Sequence, residues 1–104
     1  MSLTSAFAPK LSASTVSLAV TGSSQTLNTD TEGRLIHFRL VNAGTQTIFL
    51  EFGSNMTSPT ASTSTSLPML ANTVEVFTLP PKCIVAAIAA TTGSTLYVTP
   101  GEGI

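Results

Sequence analysis

Few side chains in this sequence could carry out chemistry, because its 104 residues include one histidine and one cysteine. His37 would need a nucleophile and an orienting acid to act as a catalytic base, and the single aspartate, Asp30, falls in a predicted turn. Serines are abundant, yet none lies in the G-x-S-x-G pattern of a hydrolase nucleophile. Cys83 opens an apolar run, where a free cysteine commonly packs as a small hydrophobic side chain. The sequence therefore predicts a protein that is not an enzyme.

The sequence also predicts no metal site and no cofactor site. One His and one Cys exclude a disulfide within the chain and an ordinary zinc site. Glu51 and Glu75 fall on separate predicted strands, and no feature of the sequence sets the spacing that a glycosidase carboxylate pair needs. We expect these carboxylates to pair with Arg34 or Arg39 instead, across a sheet or an interface. No cofactor is predicted.

The composition is poor in charge and rich in hydroxyl groups. Charged residues make up 9% of the chain, against about a quarter in an ordinary soluble domain, whereas Thr occurs 18 times and Ser 13 times. The net charge is −1 with four Lys and Arg residues, which excludes nucleic-acid binding by phosphate neutralisation. Hydrophobic residues still form 42% of the sequence, which is enough for the core of one domain.

The apolar segments are short. The longest one, residues 83–90, falls far below the roughly 18 residues that a transmembrane helix requires, so no membrane partner is expected. The N-terminus has no basic segment followed by an apolar one, so no signal peptide is predicted. A lone cysteine is compatible with folding in a reducing cytoplasm.

The dominant period of the sequence is two, which is typical of half-buried β-strands. Apolar residues alternate with polar or small ones in runs at 16–20, 36–40, 48–52, 74–76 and 96–98. Clusters rich in Gly, Asn, Ser and Pro separate these runs, and no long window carries a helical stripe. We predict an all-β fold, a small antiparallel β-sandwich or jelly-roll-like barrel of about six to eight strands.

One hairpin is predicted around Asn42-Ala43-Gly44. A three-residue loop with its glycine in the left-handed position pairs Phe38 with Ile48 and gathers the large apolar residues of both strands on one face. The same register places His37 opposite Phe49, on the face turned away from the main core. The alternative two-residue loop mixes apolar and polar residues on each face and is rejected.

Two further hairpins follow from similar turn signals. Residues 91–93 again end in a glycine, and the corresponding register pairs Ala87 with Tyr97, where a small side chain makes room for the ring. Pro80-Pro81-Lys82 predicts the turn of a third hairpin, between residues 74–79 and 83–90, or a wider bend at the same place.

The chain divides into an N-terminal arm, residues 1–13, and a single β-sandwich domain, residues 14–104. The arm has no clear pattern, and we expect it to be loose in the isolated protein. Within the domain, residues 53–66 are rich in Ser, Thr, Asn and Pro and predict a long exposed loop. Either segment is a candidate to order against a partner.

Several strings in the last two thirds of the chain occur in a recognisable order: RLVNAGT at 39–45, IFLEFG at 48–53, LPML at 67–70, TVEVF at 73–77 and GSTLYVTPGEG at 93–103. Together they make residues 34–104 resemble a group of small structural proteins of tailed bacteriophages. The better-understood members of such groups are similar to capsid decoration, or cement, proteins with β-sandwich or jelly-roll folds. The resemblance implies a virion structural protein, made in the host bacterial cytoplasm, that binds the assembled head and stabilises it. Its implied partners are the major capsid protein and further copies of itself.

The residues expected to contact such a partner come from two regions. His37, Arg39 and Phe49 fall on the strand face turned away from the main core, and Asn55 and Met56 fall in the long loop. Phe49 is the best single anchor, since an aromatic side chain on such a face is more often at an interface than there by chance. The alternative is that a second sheet covers this face and makes Phe49 part of the core.

Two other roles stay open at this point. The chain could be a component of the tail or of the head–tail connector, and a connector component would form ring oligomers. It could also be a tail-fibre-type module that binds a receptor or glycan. Sugar-binding sites commonly present aromatic platforms, so a chain with no Trp and one Tyr is a poor candidate for this role.

Overall fold

The computed structural model describes residues 8–9, 15–28, 36–54, 57–80 and 82–102 of the chain. These residues form β-strands and no helix, which confirms the all-β prediction. The strands are β1 (Ala8–Pro9), β2 (Val16–Val20), β3 (Gln25–Asn28), β4 (Ile36–Gly44), β5 (Ile48–Gly53), β6 (Leu67–Met69), β7 (Thr73–Leu79), β8 (Ile84–Ala89) and β9 (Ser94–Glu102).

The strands are arranged in two antiparallel sheets that enclose one core, so the predicted β-sandwich is confirmed. Sheet A has the order β2-β9-β4-β7, and the short β1 lies beside β9 beyond the end of β2. Sheet B has the order β3-β8-β5-β6. From β2 onward, consecutive strands lie in different sheets at every connection except that between β5 and β6. The chain therefore crosses repeatedly from one sheet to the other.

The predicted hairpin of β4 with β5 is wrong. β4 pairs with β7 and β9 in sheet A, where Phe38 lies opposite Phe77 and Pro100, whereas β5 pairs with β6 and β8 in sheet B. The alternation of apolar residues along a strand identifies which face is buried. Two strands can bury their apolar faces in one core either side by side in the same sheet or opposite each other in two sheets. The pattern therefore identified the buried faces of β4 and β5 correctly and their neighbours incorrectly.

The other two predicted hairpins are wrong for the same reason. β8 lies in sheet B and β9 in sheet A, and Tyr97 is opposite Ser17 and Val41 instead of Ala87. β7 and β8, on either side of the prolines, also lie in different sheets. These connections are crossings between the sheets, not tight turns within one.

Both loop glycines take the left-handed backbone conformation that the sequence predicts, with φ of 144° at Gly44 and 136° at Gly93. A Cβ atom on Gly44 would collide with the carbonyl oxygen of Gly93. The backbone N–H of Thr45 donates to that same oxygen at 3.2 Å. The glycines thus allow two crossings, β4 to β5 and β8 to β9, to pack against each other at one end of the sandwich.

Asn42, a fully buried residue of β4, holds this end of the sandwich together. Its Nδ2 donates to the carbonyl oxygens of Gln46 at 2.9 Å, Met69 at 3.0 Å and Leu70 at 3.1 Å. These acceptors lie in the β4–β5 crossing and at the end of β6, so one side chain connects both sheets. Buried carbonyl groups are costly without a hydrogen-bond donor, and Asn42 supplies it.

The core is formed by apolar side chains from both sheets. Those with at most 1% exposure are Val20, Phe38, Leu40, Leu96 and Val98 from sheet A, and Ile48, Leu50, Met69, Val85, Ala87 and Ala89 from sheet B. Cys83 is also fully buried, which confirms its predicted packing as a small hydrophobic side chain. The rings of Phe52 and Phe77, with centroids 5.5 Å apart, extend the contact between the sheets.

Little of the predicted N-terminal arm is among the described residues. Ala8 and Pro9 pair with Glu102 and Gly101 of β9, where they continue the edge that β2 occupies further along. The remainder of residues 1–13, apart from this pair, lies outside the described part of the chain.

Candidate interaction surface

The two outer faces of the sandwich differ in what lies on them. On sheet A, residues in register with buried positions face the core, so the alternate residues face outward. The described outward residues are Ser17 and Ala19 of β2, His37, Arg39, Val41 and Ala43 of β4, Val74, Val76 and Thr78 of β7, and Thr95, Tyr97 and Thr99 of β9. We call this set the outer face of sheet A. Apart from Arg39 and His37, it carries apolar or hydroxyl side chains.

A row of apolar side chains crosses the outer face of sheet A. Tyr97 lies opposite Val41, and Val41 lies opposite Val74 on its other side. Tyr97 is 40% exposed and Val74 48%, which places them among the few large hydrophobic side chains of the described residues that are this open to solvent. Contiguous exposed apolar groups with a polar surround are typical of protein interaction sites. The row is the best candidate for a contact surface on this molecule.

Arg39 lies beside this row, in register with Val76 on β7 and Thr99 on β9, and its side chain is exposed. The outward residues of sheet A that the structure describes include no carboxylate. Glu75 lies on β7 but is in register with Leu40, so it points to the core side of the sheet at an exposed edge. The expected pairing of Glu51 or Glu75 with Arg39 is not formed within the described residues, and Arg34 lies outside them.

His37 is half-buried on the same face and has a hydroxyl partner. Its Nδ1 lies 3.2 Å from Oγ1 of Thr78, the residue opposite it on β7. On its other side it is opposite Gly101 of β9, not Phe49 as predicted. The described surroundings of His37 supply no carboxylate that could orient the ring for base catalysis.

Phe49 lies on the opposite outer face of the molecule from His37 and Arg39. It is half-buried on sheet B, in register with Pro68 of β6 and Ile88 of β8. The alternative that a second sheet covers Phe49 is wrong, because the opposing sheet packs on the other side of β5. The single strand face predicted for His37, Arg39 and Phe49 is therefore two surfaces on opposite sides of the sandwich.

Part of the outer face of sheet B is covered by the chain's own loop, residues 54–66, of which the structure describes 54 and 57–66. The hydroxyl of Ser66 donates to Oε1 of Glu51 at 2.7 Å, and the backbone N–H of Ala61 donates to Oγ of Ser24 at 2.9 Å. Because Glu51 is on β5 and Ser24 precedes β3, the loop crosses over β8 between them. Ala86, which faces outward on β8, is fully buried.

This loop is more firmly attached than its composition indicates. Most of its described side chains are exposed as predicted, but Ala61 is 4% and Ser66 8% exposed. Ser66 also accepts a hydrogen bond from the backbone N–H of Ser62 at 2.9 Å, so its hydroxyl is used in both directions. Asn55 and Met56, the two loop residues predicted to contact a partner, lie outside the described residues.

The sequence does not identify the three residues of the apolar row, or the nearby Val76, as candidate contacts. Val41 could have been predicted, because residues 37, 39 and 41 alternate along one strand and so lie on the same face as His37 and Arg39. Val74 and Val76 appear in the sequence as the apolar side of an alternating strand, yet in the structure Phe77 and Leu79 face the core and both valines face outward. Tyr97 could not be placed because its predicted partner strand was wrong.

No group of three or more His, Cys, Asp or Glu side chains that could hold a metal ion is formed among the described residues. The described part of the chain also has no helix long and apolar enough to span a membrane. No protein-family model matches the sequence, and a search of curated proteins finds no similar chain.

Proposed function

We propose that this chain is a non-enzymatic virion structural protein, a capsid decoration protein that binds the assembled phage head through the outer face of sheet A and stabilises it. The partner would be the major capsid protein, and the protein would be found on the capsid surface. The observation that carries the proposal is the exposed apolar row of Tyr97, Val41 and Val74 on a sheet face that is almost without charge.

The strand connectivity supports this proposal. With β2-β9-β4-β7 in one sheet and β3-β8-β5-β6 in the other, the chain follows the strand order of a double-sheet jelly roll. That architecture occurs in viral capsid proteins, but also in lectins and cupins. Fold alone does not assign a function, so the weight of the proposal rests on the surface together with the resemblance of residues 34–104 to phage structural proteins.

The chemistry of the surface also favours permanent contact with another protein. Apolar and hydroxyl groups can be buried at lower desolvation cost than ions, provided that the hydroxyls find hydrogen-bond partners. The cores of protein interfaces are depleted in charged residues and enriched in aromatic ones. An outer face built from Thr, Val and Tyr with one arginine matches that composition better than it matches a freely solvated surface.

The stabilising mechanism follows from selective binding. A decoration protein whose footprint spans two or more capsid subunits binds the shell and not the free subunits, so each bound copy favours the assembled state by mass action. Association of several copies around a symmetry axis of the shell would raise the effective concentration at neighbouring sites.

The proposal is tested by incubating the purified protein with expanded, empty heads of its phage and with unassembled capsid subunits. We expect saturable co-sedimentation with the heads, a raised melting temperature of the shell and no binding to free subunits. Failure to bind heads, with the protein recovered from tails instead, would contradict the proposal. A ring oligomer at the head–tail junction would then indicate a connector role, and retention on host glycans a receptor-binding role.

A further inference from the structure

Arg39 is the feature of the outer face of sheet A that the apolar row does not explain. It lies on β4, a strand flanked on both sides, so neighbouring strands surround it within the sheet. No described residue forms an ion pair or a side-chain hydrogen bond with it, and the nearest residues across the strands are Val76 and Thr99. An arginine in this position is solvated in the free protein.

Docking of a partner on this face would remove Arg39 from solvent. The guanidinium would lose water, and burial of an unpaired charge is costly enough to oppose binding. The two carboxylates whose side chains the structure describes do not compensate it. Glu75 points to the other side of β7, and Glu51 lies on sheet B, where its Oε1 accepts a hydrogen bond from the hydroxyl of Ser66. Within the described residues nothing neutralises Arg39, so we expect a partner that covers it to supply the negative group.

The residues around Arg39 indicate which kind of negative group a partner would present to it. Val41 and Val76 border it, and Tyr97 lies in the next row of the face. Apolar neighbours favour a negative group carried on a protein surface over a phosphate backbone, since one arginine beside valines cannot neutralise a polyanion. A planar guanidinium pairs best with a planar carboxylate through two parallel hydrogen bonds.

We infer that the outer face of sheet A recognises a protein surface that presents an aspartate or glutamate carboxylate, bordered by apolar side chains, to Arg39. This inference builds on the proposed function, because it names the chemistry of the partner at the same face. In the proposed complex, the carboxylate pairs with Arg39 while the apolar groups around it cover Val41, Val76 and Tyr97.

The recognition chemistry can be tested on the isolated protein without any head. The probe is 4-phenylbutyrate, an apolar carboxylate, compared with its neutral amide 4-phenylbutanamide, and the readout is the NMR spectrum of ¹⁵N-labelled protein. We expect the carboxylate to shift the Arg39 Nε–H resonance and the amides of residues 39–41, 76 and 97, and the neutral amide to leave the Arg39 resonance unchanged. The shifts of the backbone amides should be lost in Arg39→Met and partly kept in Arg39→Lys.

Equal shifts from the two probes, or an unchanged response in Arg39→Met, would overturn the inference. The same variants are then compared on empty heads, where we expect Arg39→Met to weaken binding by about tenfold or more and Arg39→Lys by less. Heads that bind Arg39→Met as tightly as the wild type would also overturn it. Heads that do not bind even the wild type would contradict the proposed function, while the probe experiment still decides whether the face recognises a carboxylate.

Discussion

Tyr97 on β9 and Val41 on β4 lie directly opposite each other, and their side chains project from the same outward face of sheet A. Val74 continues this row on the far side of Val41. The other outer face of the sandwich carries the chain's own loop, anchored by the hydrogen bond from Ser66 to Glu51. The loop thus covers part of one outer face, whereas no described loop covers the apolar row on the other.

Replacing Tyr97 with Ser should leave the fold nearly unchanged, because the ring is 40% exposed and lies outside the core. We expect the free energy of unfolding to fall by at most about 1 kcal/mol, as for most surface substitutions. Urea denaturation of the purified variant measures this change. A core substitution, Phe38→Ala, serves as the contrast and should cost about 3–5 kcal/mol. If Tyr97→Ser were as damaging as Phe38→Ala, Tyr97 would be a structural residue and not an interface residue.

Replacing Asn42 with Ala should be strongly destabilising, because its Nδ2 is the donor to three buried or partly buried carbonyl oxygens. Leaving buried acceptors unpaired costs about 1–3 kcal/mol, and we expect a loss of at least about 2 kcal/mol in denaturant unfolding. The matched control is Asn28→Ala, which removes an exposed asparagine on β3 and should change stability by less than about 0.5 kcal/mol. Equal effects of the two substitutions would show that Asn42 does not hold the sheets together.

Replacing Gly44 with Ala should destabilise the protein because its φ of 144° is unfavourable for a residue with a side chain and the added Cβ would collide with the backbone of Gly93. We expect a loss of more than about 1 kcal/mol. Gly22→Ala is the control, since an added Cβ there lies 3.5 Å from the nearest atom. A thermal melt in which both variants unfold at the same temperature would contradict the crossing geometry at Gly44.

Removing the Ser66 hydroxyl should loosen the loop without unfolding the sandwich. Ser66→Ala loses the bond to Glu51 at 2.7 Å and the bond from Ser62 at 2.9 Å, so we expect a cost of about 1–2 kcal/mol and faster hydrogen exchange in residues 57–66. Ser64→Ala, an exposed residue in the same loop, should leave exchange unchanged. Unaltered protection in Ser66→Ala would mean that the loop is held by other contacts.

Sequence reasoning reached the fold class and the inward faces of most strands, because alternation reports burial directly. It failed on strand neighbours, since a strand such as β4 satisfies its apolar face equally well beside β5 or across the core from it. It also failed on β7, where Val74 and Val76 look like core residues, although Phe77 and Leu79 take that role. At an edge strand, two alternating sets of apolar residues compete, and only the packing of the opposite sheet decides between them.

Only part of the candidate surface can be predicted from the sequence, because the sequence does not specify which strands are neighbours. The alternation of residues along β4 is enough to predict that His37 and Arg39 face outward, and the structure confirms this orientation. Their association with Tyr97 and Val74 depends on the non-local neighbours of β4, which no local turn signal specifies. The predicted β4–β5 hairpin would place Phe49 beside them, but Phe49 lies on the other side of the molecule.

The claim that the outer face of sheet A binds the assembled head is tested most directly by comparing two folded variants in co-sedimentation with expanded, empty heads. The double variant Tyr97→Ser, Val74→Thr removes the two exposed ends of the apolar row. Leu67→Thr removes an equally exposed apolar side chain, 46% against 48% for Val74, from the edge of sheet B. We predict that the double variant binds at least about tenfold more weakly than the wild type, whereas Leu67→Thr binds within about twofold of it. A double variant that keeps its fold and binds as tightly as the wild type would contradict the account.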